Sequence, residues 1–262
     1  MNYGLYAAYL GMRARQKTLD VMANNIANAS TDGYKADRLL YSTVAFAEKE
    51  AAGASGNNAA PFAPNDLRAL AQKQARAVGV VTGSGVDFSP GPIRETGRPL
   101  DVALDGDGFL AVQTPRGERY TRAGSMTIDA NGQLVTHDGY LVIGEKGPIT
   151  VPPGGEVSIG EDGSLAVKGQ AFDRLKLVTF KNPNQALLKE GQTLFLTTGQ
   201  EKPAAAPTLR VVSGALETSN LNNVSEMAAM IQNSREFDSL QRNVTILMND
   251  LGRKVASEIG KI

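Results

Sequence analysis

The chain has 262 residues, 42% hydrophobic and 21% charged, which suits one large domain or two to three small ones and argues against general disorder. Lys plus Arg and Asp plus Glu stand at 27 each, so there is no basic excess to draw a nucleic acid or an anionic membrane surface. Cysteine is absent, which excludes disulfides and thiolate metal sites.

No apolar run approaches the ~18 residues of a membrane span. Arg13, Arg15, Lys17 and Asp20 fall where the apolar stretch of a cleaved signal peptide would lie. The expectation is a protein that stays in the cytoplasm or is exported by a route that cleaves no signal.

In chain order, the first element expected is a helix from about Asn2 to Asn28, in which Leu5, Met12, Leu19 and Ile26 recur every seventh residue. A repeat of seven makes a narrow apolar stripe, the seam by which one helix grips another. Arg13, Gln16, Lys17 and Asp20 occupy the other face. Asn28-Ala29-Ser30-Thr31-Asp32-Gly33 closes the helix, with Gly33 giving the positive φ that a chain reversal or helix stop commonly needs. Tyr34 and Lys35 resume in extended form. From about Ala45 to Gly85 the composition changes. Glu48 to Asn58 reads as a flexible loop, Asp66 to Val78 as a short helix, and Thr82-Gly83-Ser84-Gly85 as a turn.

From Ile93 to about Leu196, short apolar runs alternate with turn signals, which suggests a β-rich body. Asn131-Gly132, between Met126-Thr127-Ile128 and Leu134-Val135, is a strong hairpin cue. Asp105-Gly106, Asp107-Gly108, Asp138-Gly139 and Asp162-Gly163 repeat the pattern, and Arg174 to Phe180 alternates. A last helix is expected from near Asn223 to about Ser257, with Asn223 and Glu226 resembling a capping box. Met230, Phe237, Val244 and Leu251 recur every seventh residue along it, and Leu240 and Leu247 supply a second apolar position. The expected class is therefore α+β: long N- and C-terminal helices packed as a coiled-coil-like terminal domain, around a β-rich central domain. Its parts are residues 1–36, a variable linker 37–90, the central domain 91–212 and the C-terminal helix 213–262.

Little in the chain looks reactive. The single histidine, His137, stands in Thr136-His137-Asp138-Gly139; a metal site needs three or four ligands, and a turn beside a strand accounts for the pair. Asp101, Asp105 and Asp107 fail the EF-hand pattern, since Phe109 stands where a ligand is wanted and no Glu closes the loop. Hairpin turns account for them, with paired carboxylates for glycoside chemistry as the unsupported alternative. Gly83-Ser84-Gly85 is not a nucleophile elbow, and neither a phosphate loop nor a dinucleotide fingerprint occurs. No enzyme activity, cofactor or metal is expected.

Ala23-Asn24-Asn25-Ile26-Ala27-Asn28-Ala29-Ser30-Thr31-Asp32-Gly33-Tyr34-Lys35 resembles the N-terminal signature of the bacterial flagellar rod and hook family. Arg98 to Leu104 followed by Gly108-Phe109, Tyr120 to Met126 followed by Asp129 and Gly132 to Val135, and Ser213 to Asn220 followed by Met230-Ile231 resemble its later stretches in order. The resemblance covers nearly the whole chain except about residues 45–85. Within the family, Arg98 to Leu104 and Ile143 to Pro152 are worded like the proximal rod member, and Leu110 stands where the distal member more often has a second aromatic. Leu221 replaces the family's usual Val.

The resemblance implies a structural axial subunit of the basal-body rod, polymerising through its terminal helices, transmitting torque and forming part of the export channel. A distal rod or hook-type subunit is the alternative, and a β-domain binding module or carbohydrate-active enzyme the rival from another class. It implies other rod subunits, copies of the chain itself and the flagellar export apparatus as partners, with no nucleic acid and no integral membrane segment. The place implied is the periplasmic rod. The assembly residues are Leu5, Met12, Leu19, Ile26, Met230, Phe237, Leu240, Val244, Leu247 and Leu251; the signature residues are Asn24, Asn25, Asn28, Ser30, Thr31, Gly33 and Tyr34.

Overall fold

The computed structural model describes residues 2–46, 76–206 and 208–259. Helix α1 (Asn2–Ala27) and a long C-terminal helix (Asn223–Ile259) fall where the stripes place them. Between them the chain is almost entirely strand, and only about a quarter of the whole is helical. The cap of the C-terminal helix is Asn222, one residue earlier than expected: its Oδ1 accepts the Ser225 N–H at 3.2 Å.

The expected coiled-coil-like terminal domain is not borne out. The protein is predominantly β, with a single helix at each end, and both of its buried apolar clusters lie in the strand region. No apolar side chain described on either helix is buried. The contacts described between the helices are mostly polar: Arg15 donates to Asn233 at 2.7 Å and pairs with Glu236 at 2.7 Å, and Asn233 reaches Met22 Sδ at 3.7 Å. The reason is the narrowness of the stripe. A seven-residue repeat buries a seam only when a partner runs along it, and one chain supplies a single partner.

Residue contacts divide the chain into two compact units, Met1–Met22, Leu39–Ser84 and Ala228–Ile262 in one, Ala23–Arg38 and Gly85–Met227 in the other. Strands β1 (Asp37–Phe46) and β2 (Arg76–Val86) pair as a two-stranded ribbon. The turn expected at residues 82–85 lies inside β2, and so do the last three residues of the helix expected over Asp66–Val78. The rest of that helix and the loop expected at Glu48–Asn58 lie outside the described residues. A strand wins here because valines at positions 78, 80 and 81 suit a pleated surface; Gly83 leaves room for Leu40, whose Cδ1 would stand 4.0 Å from a Cβ there.

The second unit is the β body. Strands β3 (Ile93–Glu95) and β4 (Val102–Asp105) each pair with a strand from the far end of the chain. The main sheet is built on β5 (Phe109–Thr114), β6 (Gly117–Thr121), β7 (Met126–Ile128), β8 (Leu134–Thr136) and β9 (Leu141–Gly144), with β10 (Gly147–Pro148) on its flank. A three-stranded sheet follows: β11 (Val157–Ile159), β12 (Ser164–Val167) and β13 (Gln170–Arg174). β14 (Leu177–Thr179) returns to β5, and the helical turn α2 (Pro183–Ala186) leads to β15 (Leu187–Glu190) and β16 (Leu194–Thr197), which joins β6. β17 (Ala204–Ala205) lies on β14; β18 (Arg210–Ser213) pairs with β4 and β19 (Ala215–Glu217) with β3. The C-terminal helix is α3.

Asn131-Gly132 makes the β7–β8 hairpin, with φ +78° at the glycine. Asp105-Gly106-Asp107-Gly108 does not make one. It carries the chain from β4, which pairs with β18, to β5 in the main sheet, and passes so close to Leu209 and Val178 that a Cβ at Gly108 would meet Leu209 Cδ2 at 2.7 Å and Val178 O at 2.9 Å. One buried cluster gathers Val102, Leu110, Leu134, Val142, Ile149, Leu165 and Leu175. The other is aromatic: Phe109, Phe180, Phe195 and Tyr120 meet edge to face, with ring centroids 5.3–6.0 Å apart, and Phe88 closes one side.

Candidate functional site

The signature residues at the exit of α1 form one polar junction. Asn25, 3% exposed, pairs with the Asp37 backbone in both directions: its Nδ2 donates to Asp37 O at 3.0 Å, and its Oδ1 accepts Asp37 N at 2.9 Å. The Tyr34 hydroxyl lies 3.0 Å from both Asn24 Oδ1 and Asn25 Oδ1. Buried Asn28 folds back to Asn24 O at 2.9 Å, and its Oδ1 accepts from the Thr31 hydroxyl at 3.3 Å. Asn24 O thereby accepts a second bond beside the Asn28 backbone N–H at 3.2 Å, at the end of the helix. Ser30 is exposed.

Gly33 has φ +70°, as the sequence implied. It is also pressed against the body, where a Cβ would stand 2.3 Å from Ala123 N, and its own N–H donates to Glu217 O at 2.7 Å. Lys189 lays its ammonium 3.8 Å over the Tyr34 ring while donating to Lys35 O at 2.7 Å and Asp37 Oδ1 at 3.0 Å. Burial pulls the Lys189 pKa below that of an ordinary lysine, against the pull of Asp37. Burial and the Asp37 carboxylate push the Tyr34 phenol well up.

The centre of the junction is a set of charges that the sequence reading passed over. Lys35 and Glu217 are each 1% exposed at the side chain and meet at 2.6 Å. Glu217 Oε1 also accepts Gly91 N at 2.8 Å, and its Oε2 takes Arg122 Nη1 at 3.0 Å. Arg122 further donates to Leu104 O at 3.1 Å and Gly106 O at 2.7 Å, while its buried Nε has no partner. Burial lowers the Lys35 pKa, and the Glu217 carboxylate opposes that shift. Each member stands in a quoted signature stretch, so a charged residue recurring inside otherwise apolar or turn-forming motifs was the available signal.

The stripe residues lie elsewhere. Met12, Leu19, Ile26, Met230, Phe237, Leu240 and Val244 are half-buried, and the side chains of Leu5, Leu247 and Leu251 lie outside the described residues. A second apolar row on α3 is barer still: Val224 is 80%, Met227 47% and Ile231 57% exposed.

The groups weighed for chemistry do not converge. His137 is exposed in the turn after β8. Asp101 is buried and held by a two-pronged Arg98, at 2.8 and 2.7 Å, and by the Thr96 hydroxyl at 2.7 Å. It is thus an internal ion-pair partner rather than a turn aspartate. Asp105, exposed, is four strand residues on, ~13 Å away. Among the described residues, no group of three or more His, Asp or Glu is placed to hold a metal, and no helix is long and apolar enough to cross a membrane.

Helices whose described apolar side chains stay half-buried or exposed, a β body with its own buried clusters, and a buried knot that holds structure define a structural subunit. Three family profiles match along the chain: flagella basal body rod protein at residues 5–35, flagellar hook protein FlgE/F/G D1 domain at 103–167, and flagellar basal body rod FlgEFG protein C-terminal at 212–246. The flagellar basal-body rod protein FlgF of Escherichia coli K12 is 36% identical over 95% of this chain and 96% of its own. FlgF of Caulobacter vibrioides is 31% identical over the full length of both. The flagellar basal-body rod protein FlgG of Bacillus subtilis is 34% identical over 92% of this chain and 93% of its own. This chain belongs to the bacterial flagellar basal-body rod protein family and is a structural rod subunit, most like the members named FlgF.

Proposed function

We propose that this subunit builds the proximal rod, polymerising with copies of itself and with other axial subunits through the apolar rows of α1 and α3. In that role it transmits torque and lines part of the export channel, reaches the periplasm through the flagellar export apparatus without a cleaved signal, and performs no catalysis. The observation that carries the reading is the exposed row Val224, Met227 and Ile231 on α3, with the heptad row of the same helix only half-buried, beside a β body that buries its own apolar clusters. Two rows on different sides of one helix fit a helix wrapped by several neighbours, and non-closing contacts of that kind extend into a helical filament.

The absence of cysteine gives a clean test. A single cysteine at Ile231 should react with a maleimide in the isolated subunit and be protected in purified basal bodies. Equal labelling in both would remove the row from the assembly contact. A deletion strain fixes the layer: basal bodies should lack the distal rod and the hook with no proximal rod built. A proximal rod present in the deletion would assign the chain to the distal layer, the reading to which the FlgG relative points.

A further inference from the structure

The buried junction holds two cations and one carboxylate, and that inequality has a direction. If the segment around Lys35 leaves, Lys35 enters water and Glu217 keeps Arg122 at 3.0 Å and the Gly91 N–H at 2.8 Å. If β19 leaves, Lys35 and Arg122 lose the one buried carboxylate they share; Lys35 keeps Ser89 O at 2.7 Å, with Asp87, already paired to Arg38, as the charge left near it, and Arg122 keeps Leu104 O and Gly106 O beside an unpartnered Nε. Stranding buried charge is among the costliest changes in a protein interior, so the second half-docked state is far scarcer than the first.

The backbone points the same way. β19 is a ladder strand on β3, and Thr218 and Asn220 anchor it further, Thr218 N to Pro92 O at 2.8 Å and Asn220 Nδ2 to Asp87 O at 2.8 Å. The segment between α1 and β1 belongs to no ladder, and is tied outside the C-terminal segment by single bonds such as Asp87 N to Ala36 O at 2.8 Å and Lys35 Nζ to Ser89 O at 2.7 Å. Several of its bonds rest on the C-terminal segment itself: Gly33 N on Glu217 O at 2.7 Å, Ala36 N on Asn220 Oδ1 at 3.0 Å, and Lys35 on Glu217.

We propose that the Lys35–Glu217–Arg122 set is an order-of-docking lock. The C-terminal segment 213–220 seats first, held by Arg122, and only then can the exit of α1 be fixed by Lys35. A chain whose C-terminal part is not yet in place cannot lock its N-terminal end, so no subunit presents a fixed N-terminal end alone. The coupling free energy is reciprocal, as linkage requires; the two half-docked states differ in population because one keeps a buried ion pair and the other leaves two cations without the carboxylate they share.

Hydrogen exchange by mass spectrometry on the full-length chain tests this, reading peptides over residues 28–38 and 213–220 with β5 and β6 as the internal control for folding. In Lys35→Met, exchange over 28–38 should rise at least about tenfold while 213–220 stays within about twofold of the parent. In Glu217→Gln both segments should open together. Adding Lys35→Met to Glu217→Gln removes one stranded cation and should restore part of the protection over 213–220, a comparison that holds even if the single Glu217 variant is poorly folded. Three results would overturn the lock: Lys35→Met opening 213–220 as far as 28–38, Glu217→Gln leaving 28–38 protected, or the double variant being the sum of the two singles.

Discussion

Gly33 shows how two constraints can meet in one residue. Its left-handed backbone alone makes any side chain cost about 1–2 kcal/mol, and the backbone of Arg122 and Ala123 fills the space where a Cβ would go. Gly33→Ala and Gly33→Val should both lower the thermal midpoint of the β body by several degrees, with Val the worse, and Gly33→Val should impair rod assembly. Gly11 is the control. It lies mid-helix, and a Cβ there would meet nothing within 4 Å. Gly11→Ala should therefore leave the body unchanged and strengthen α1 by ~0.5–1 kcal/mol, read as slower exchange in that helix. Asn25 makes a third case. It must donate and accept at once, so Asn25→Asp, which keeps shape but loses the donor to Asp37 O, should cost about 1–3 kcal/mol in a denaturant titration. A midpoint within error of the parent would mean that the amide pairing contributes nothing.

At the scale of elements, the tight turns should carry the acid sensitivity, and the helices the contacts proposed for assembly. Asp129 accepts the Gln133 and Asn131 N–H groups in the β7–β8 turn, and Asp162 accepts from Ser164 and Arg174 before β12. Those bonds hold both carboxyls below the usual carboxylate range, through backbone donation at Asp129 and through Ser164 and Arg174 at Asp162. A folded pKa below the unfolded value contributes stability that is complete above about pH 4 and is lost as the pH falls from there toward the folded pKa. The β body should lose stability on acidification below about pH 4, and Asp162→Asn should make that loss shallower. An identical acid profile in the variant would show that the turn does not titrate with folding. On α3, Phe237 is half-buried in the subunit. Phe237→Asp should leave the melting of the β body unchanged, since Phe237 belongs to neither buried cluster, yet abolish rods if neighbours cover it, since an unpaired buried charge costs several kcal/mol. Motile cells carrying this variant would show that Phe237 stays in water.

For the molecule as a whole, stability should be uneven. The β body has two buried clusters and the charged knot, while α1 and α3 have no buried apolar side chain described. Exchange in the isolated subunit should be fast along residues 8–22 and 228–246 and slow in β5, β6 and β9. Uniform protection would mean that the helices are already packed within one chain.

The positions of both helices, the positive φ at Gly33, the hairpin at Asn131-Gly132 and the family were all legible in the chain, because helix periodicity, turn chemistry and signature motifs are written in neighbouring residues. The packing of the helices was not: a seven-residue stripe states that a seam exists but not that one chain can fill it, and here the described stripe residues stay half-covered. The Gly-Ser-Gly run near residue 84 became strand because β1 lay opposite it. The Asp-Gly pairs after β4 became a crossing because β18, more than a hundred residues on, had taken β4 as its partner. Lys35, Arg122 and Glu217 stand in three separate motifs, and nothing local marks a lysine for burial. Only the fold brings the three within hydrogen-bond reach, since the worth of a buried charge depends on which opposite charge the rest of the chain delivers to it.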